Sequence, residues 1–285
     1  MPAPADGRQG SAIAVGYDGS EPSQLAVRWA AGHAVATGRS LRVVHAWVWP
    51  MFTKNLGPVK GVQGSGLRHA AEVILAEGVA AARAVSNELD VEGSIEAGLP
   101  AQVLREASQD AALLVVGHRG MGRLLGQLVG SACLDLAVTA RCPLMVIRYP
   151  GRPGLPVAAG IDSSARCEAV VADAATLAVA LRVPLQLIHV DPGHHGEHDH
   201  EPHGRHAPLH GQELLDHTVD LARRLSPGLE VDGTLVEGHP ASKELLTAAA
   251  HADVLVLGAH HREGHPGSTV SAALERALCN VMITR

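Results

Sequence analysis

Aromatic residues are nearly missing from this chain of 285 residues: three Trp, two Tyr and one Phe make up 2%. A core with so few rings has to be filled by Val, Leu, Ile and Ala, and hydrophobic residues stand at 46%. That composition suits parallel sheets covered by helices. Cysteine is equally scarce. Cys133, Cys142, Cys167 and Cys279 are scattered and form no Cys-x-x-Cys pair, which argues for thiols in a reducing cytosol rather than a disulfide framework. No apolar run approaches the length that spans a bilayer, and the polar start from Met1 to Gly10 lacks the apolar centre of a signal peptide. Excess positive charge is missing too. A net charge of −6, with so few aromatics, argues against sequence-independent nucleic-acid binding. The expectation is a cytoplasmic protein with no membrane partner, of a length that suggests two domains.

What the chain does contain is a copy of itself. Gly160-Ile161-Asp162-Ser163-Ser164 matches Gly16-Tyr17-Asp18-Gly19-Ser20. Leu187-Ile188-His189-Val190 matches Val43-Val44-His45-Ala46, and Gly238-His239-Pro240-Ala241 matches Gly98-Leu99-Pro100-Ala101. Val254 to Gly258 matches Leu113 to Gly117, and Cys279 to Ile283 matches Cys142 to Val146. Five blocks recurring in order at a nearly constant offset are a duplication. The domains expected are residues 10–149 and 155–285, joined by a Pro/Gly-rich linker at 150–154.

Each half alternates short apolar runs with helical patterns. In the first half, Ile13–Tyr17 reads as a strand and Pro22 as a first-turn helix residue. Leu41–Val48, Val91–Glu96, Leu113–Val116 and Leu144–Ile147 read as further strands, and a long helix is predicted from about Leu67 to Leu89. Such alternation implies an α/β fold of two doubly wound, Rossmann-like domains, each a mostly parallel sheet with helices on both faces. Ligands of such sheets bind beyond the carboxyl ends of the strands, near the topological switch point. Asp18, Ala46 and Gly117 all fall at strand ends and can converge there.

The glycines that follow the fourth strand are the sharpest local signal. Gly117 and Gly120 are followed, after nine residues, by Gly130-Ser131, and a helical pattern begins at Ala132. A helix N-terminus offers backbone N–H groups and a favourable dipole to an anion. Glycine permits close approach and positive φ. Ser131 adds a hydroxyl donor, or a ligand for a phosphate-bound metal ion. A simple flexible turn is the alternative reading.

With these residues the chain resembles a tandem universal stress protein over nearly all of both halves. Gly117, Gly120, Gly130 and Ser131 match the Gly-x2-Gly-x9-Gly-Ser/Thr motif of the family's nucleotide-binding members, and Asp18 matches their aspartate after the first strand. Ala46, after His45, matches the residue whose backbone meets adenine. The resemblance implies adenine nucleotide alpha-hydrolase-like domains with five parallel strands each. It also implies ATP, possibly with Mg, as the ligand, and domain pairing through the last strands, with a homodimer open. The nucleotide-binding set expected is Gly16, Asp18, Ala46, Gly117, Arg119, Gly120, Arg123, Gly130, Ser131 and Ala132. A carboxylate at Asp18 can accept from the adenine amino group; an N-cap on the first helix is the other role open to it. Arg119 and Arg123 can reach phosphates or remain solvated.

The second half departs from this pattern. His261 stands where the second glycine should be, and Val270 is read opposite Gly130, with the segment to Ser271 one residue shorter. Asp162, Val190, Gly258 and Ser271 form a possible second site, degraded at its phosphate end. Gly264, Gly267, Ser268 and Thr269 offer a different anion loop. A histidine-rich insertion at 191–211 carries His194, His195, His198, His200 and His203, with acids interleaved. Imidazole suits transition metals, but the spacing is irregular, and a solvated insertion between the second strand and the next helix is the reading preferred over a metal site. No lysine-bearing Gly-x4-Gly-Lys loop and no water-activating base declares itself. The expectation is an ATP-binding stress-response regulator with an unknown protein partner and at most slow hydrolysis. A scaffold that binds no nucleotide and a metal buffer are the alternatives.

Overall fold

The computed structural model describes residues 12–48, 67–120, 129–191, 209–262 and 265–285. The chain divides into two compact units, one built on Met1–Pro150 and the other on Gly151–Arg262 with Pro266–Arg285.

In the first unit the strands are β1 (Ile13–Gly16), β2 (Leu41–Trp47), β3 (Val91–Ala97), β4 (Leu113–Gly117) and β5 (Leu144–Ile147). They pair in the order β3-β2-β1-β4-β5, all parallel. The chain therefore reverses its direction of travel across the sheet between β1 and β4, which is the switch point. Helices α1 (Glu21–Thr37) and α2 (Leu67–Arg83) pack together, as do α3 (Pro100–Ala107) and α4 (Ser131–Thr139). The central strands are dry: Ile13, Ala14, Val15, Leu114 and Val115 are fully buried. This is why β4 reads as a continuous apolar run rather than an alternating one.

Local chemistry sets the helix ends. Ser20 caps α1 by accepting from the Ser23 N–H at 3.4 Å, Pro22 occupies the first turn, and Gly38 closes the helix at φ 65°. Helix α2 stops at Arg83, six residues before the sequence-based end. There the chain turns through Ser86, whose hydroxyl accepts from the Glu88 N–H at 3.3 Å and whose carbonyl accepts from Leu89. Ser and Asn favour such local bonding over helix interior.

The second unit repeats the plan. Its strands are β6 (Val157–Ile161), β7 (Leu185–Asp191), β8 (Val231–Glu237), β9 (Val254–Gly258) and β10 (Asn280–Thr284), parallel in the order β8-β7-β6-β9-β10. Its helices are α5 (Cys167–Leu181), α6 (Gly211–Leu225), α7 (Ala241–Ala248) and α8 (Ser268–Arg276). Packing details recur with the pattern. Gly16 makes room for Leu104, and Gly160 makes room for Leu245 in the same place. The linker start is tied into this unit: the Arg152 N–H donates to Asp253 Oδ1 at 2.8 Å, and its guanidinium donates to the Ala252 and Leu278 carbonyls.

Candidate functional site

At the carboxyl ends of β1, β2 and β4 lies a cavity of about 550 Å³. This is the size of a small-molecule site. Gly16 and Asp18 enter from β1, Ala46 and Trp47 from β2, Gly117, Arg119 and Gly120 from β4, and Gly130, Ser131 and Ala132 from the start of α4. The topology thus gathers nine of the ten expected residues of the first site around one cavity. Arg123, the tenth, lies outside the described residues.

Asp18 does not cap α1; Ser20 does. The Asp18 carboxylate instead folds into an Asx turn, its Oδ1 accepting from the Ser20 N–H at 3.0 Å and the Ser20 hydroxyl at 2.6 Å. Its Oδ2 points toward Gly120, where an added Cβ would stand 2.6 Å away. A side chain at Gly120 would therefore displace this carboxylate. Ala46 is held by its neighbour: the His45 ring is buried, and its Nδ1 donates to the Tyr17 carbonyl at 2.8 Å. A carbonyl can only accept, so that nitrogen carries the proton. The bond ties the end of β2 to the exit of β1 and fixes the backbone that lines the cavity.

The glycines work differently from the sequence-based expectation. None of Gly117, Gly120 and Gly130 takes positive φ. A Cβ at Gly117 would come within 2.6 Å of the Pro22 carbonyl carbon, so this glycine admits the first turn of α1 against β4. Gly130 is the N-cap of α4 at φ −70° and ψ 144°, with no side-chain cap. A Cβ there would meet nothing nearer than the His118 carbonyl oxygen at 3.6 Å. Of the three, Gly130 is the one where an added Cβ would make only ordinary van der Waals contacts with the described residues. Beneath it Cys133 donates to the Gly117 carbonyl at 3.2 Å, and full burial pushes its thiol up to about 12. Burial lowers the pKa of His118, whose Nδ1 lies 3.3 Å from the Ile147 carbonyl.

Sequence reasoning missed the apolar walls. Trp47 and Val48, Ala70, Ala71 and Ile74 of α2, and Leu104 and Leu136 line the same cavity. They come from four separate segments, and each reads in isolation as ordinary core.

A second cavity of about 430 Å³ lies at the carboxyl ends of β6, β7 and β9. Asp162, Val190 and Gly258 line it; Ser271 does not. Helix α8 begins at Ser268 with Gly267 as N-cap, so Gly267-Ser268 occupies the place of Gly130-Ser131. Val270 and Ser271 fall inside the helix, the Ser271 N–H donating to the Gly267 carbonyl. Reading Val270 opposite Gly130 is thus corrected. The deletion is four residues rather than one: Gly117 and Gly130 are thirteen positions apart, Gly258 and Gly267 nine. His260 also lines this cavity, its Nε2 3.2 Å from Asp162 Oδ2.

The histidines at 194, 195, 198, 200 and 203 lie outside the described residues. Among the described residues no group of three or more His, Cys, Asp or Glu is placed to hold a metal ion, and no helix is long and apolar enough to cross a membrane.

Comparison with known families gives a match to the Universal stress protein family at residues 11–148 and again at 156–285. The chain belongs to the universal stress protein family. Similar full-length universal stress proteins include one from Mycolicibacterium smegmatis, 31% identical with 96% of each chain covered. Another is Rv1996 of Mycobacterium tuberculosis, 31% identical over 94% of this chain and 91% of the relative. Among solved structures, a universal stress protein from Archaeoglobus fulgidus covers 96% of both chains with a TM-score of 0.68 at 17% identity, a likeness of fold. Two universal stress protein domains in tandem therefore account for the duplication.

Proposed function

We propose that the first unit binds an adenine nucleotide, with ATP the leading candidate, and that its occupancy sets a conformation or partner surface in a stress response. The observation that carries this is the start of α4 at the N-cap Gly130, which lines the same cavity as Asp18 and Ala46. An anion is favoured at that helix end. Gly117, Arg119 and Gly120 border the phosphate path. Ser131 supplies a hydroxyl to phosphate or to phosphate-bound Mg, and Ala132 adds a first-turn N–H. The apolar walls at Trp47 and Ile74 suit a purine face. Asp18 favours an amino group over a carbonyl at the base edge, hence adenine over guanine. The role is regulatory: the described residues at the cavity offer no water-activating base poised at a γ-phosphate.

The test is calorimetric titration of the full chain with ATP, beside Gly130→Val. A Cβ at Gly130 would make only ordinary contacts with the described residues, and Gly130 lines the cavity. We expect ATP binding in the unmodified chain and at least about tenfold weaker binding in the variant, with its melting temperature nearly unchanged. No ATP binding to the unmodified chain overturns the reading.

A further inference from the structure

We propose that His45 is a specificity-determining residue of the first cavity: its Nε2 accepts a hydrogen bond from an N–H or O–H donor on the nucleoside part of the ligand. This rests on the nucleotide reading of that cavity and names a group the cavity selects for. The His45 ring is 7% exposed and lines the cavity. Strand β2 carries it one position past Val44, the register partner of Gly16 at the end of β1. From there Nδ1 donates to the Tyr17 carbonyl at 2.8 Å, so in the neutral ring Nε2 holds the lone pair. Among the described residues nothing donates to that Nε2.

The second unit repeats the arrangement with different neighbours. His189 Nδ1 lies 2.8 Å from the Ile161 carbonyl, and its ring is buried and lines the second cavity. Ile161 stands for Tyr17 and Val190 for Ala46, yet the ring and its tie to the backbone are kept. Tying two strands together takes only one ring nitrogen. Water can meet the other, and a ligand that displaces that water has to bring a donor or forfeit the bond. The ionised phosphates of a nucleotide only accept, so the donor is the base amino group or a ribose hydroxyl. Two acceptors, Asp18 and His45, then read the nucleoside, while N–H groups at the start of α4 meet the phosphates. A site built to bond a donor rejects the analogue that lacks it.

The test is calorimetric titration of the unmodified full chain and of His45→Asn with ATP. An Asn amide falls about where Nδ1 lies, so it can keep the bond to the Tyr17 carbonyl while Nε2 is removed. His45→Phe removes both and marks the melting temperature of a chain without the tie. We expect His45→Asn to melt above His45→Phe and to bind ATP at least about fivefold more weakly than the unmodified chain. Purine riboside triphosphate, 2′-deoxy-ATP and 3′-deoxy-ATP then identify the donor: the analogue that lacks it should bind both chains alike. In the unmodified chain the ¹⁵N signal of His45 Nε2 should move upfield when ATP is added, a readout that needs no variant to fold. Unchanged ATP affinity in His45→Asn, a loss shared equally by ATP and all three analogues, or an unmoved Nε2 signal overturns the proposal. No ATP binding to the unmodified chain overturns the nucleotide reading with it; ATP binding that His45→Asn does not weaken overturns this inference alone.

Discussion

Pro22 and Gly117 touch through their backbones. The first turn of α1 lies so close to the end of β4 that a Cβ on Gly117 would stand 2.6 Å from the Pro22 carbonyl carbon and 2.7 Å from its oxygen. A backbone cannot swing aside as a side chain can. Gly117→Val should therefore lower stability by about 1–3 kcal/mol or more, as overpacking does. Gly130→Val, whose Cβ would meet the described residues at ordinary contact distance, should leave the melting curve nearly in place. Thermal unfolding followed by circular dichroism checks the contrast. Equal melting temperatures for the two variants would contradict it. The consequence for binding studies is that a Gly117 variant reports on folding before it reports on ligand.

All four cysteines are buried. Burial pushes Cys133 up to about 12 and Cys167 up to about 11. Only thiolate reacts quickly. At pH 8 the native protein should leave these thiols unlabelled by a disulfide reagent over minutes and release four equivalents in guanidinium. Rapid native labelling of Cys133 would show that the cavity floor opens.

His33 stacks on Trp29 with ring centroids 5.0 Å apart, and its Nδ1 is buried without a hydrogen-bond partner. Burial lowers its pKa to about 4, with Arg39 adding to the effect. The folded state thus binds fewer protons here than the unfolded chain between pH 6.5 and 4. Stability is full above the unfolded value and is lost as pH falls through that window. The shift corresponds to at most about 3 kcal/mol. His33→Phe keeps a ring on Trp29 and removes the titration. Denaturant midpoints measured from pH 7 to 4 should fall less in the variant; parallel pH profiles would refute the assignment.

Asp253 is buried beneath the linker and accepts from the Arg152 N–H. Asp253→Ala should destabilise the second unit by about 1–3 kcal/mol, because it strands that donor. Asp253→Asn keeps an oxygen there and should recover most of the loss. Unfolding in urea distinguishes the three chains.

How much of this was legible in the sequence differs from part to part. The duplication, the strands and the glycine segment after β4 could be read because each is local: an apolar run, a turn residue, a fixed spacing. The reason for Gly117 could not, since Pro22 lies almost a hundred positions away. The start of α8 was misplaced because a one-residue gap to Ser271 seemed cheaper than four residues to Ser268, and only the helix geometry decides between them. Trp47, Ile74 and Leu104 looked like core because their shared cavity exists only after β2, α2 and α3 are brought together. The end of α2 was missed because Ser86 breaks the helix through its own side chain, a competition that apolar periodicity does not register.

The two hydrogen bonds that close the loops, Gly130 to His118 and Gly267 to His260, have a bearing on how such a chain can change. They act as sockets. What lies between their rims can lengthen or shrink while the strands and helix beneath stay paired. Nearly doubling the enclosed chain costs only about 0.6 kcal/mol of closure entropy, less than most core substitutions. In a duplicated chain the loop of one copy can therefore change in length at little cost to folding.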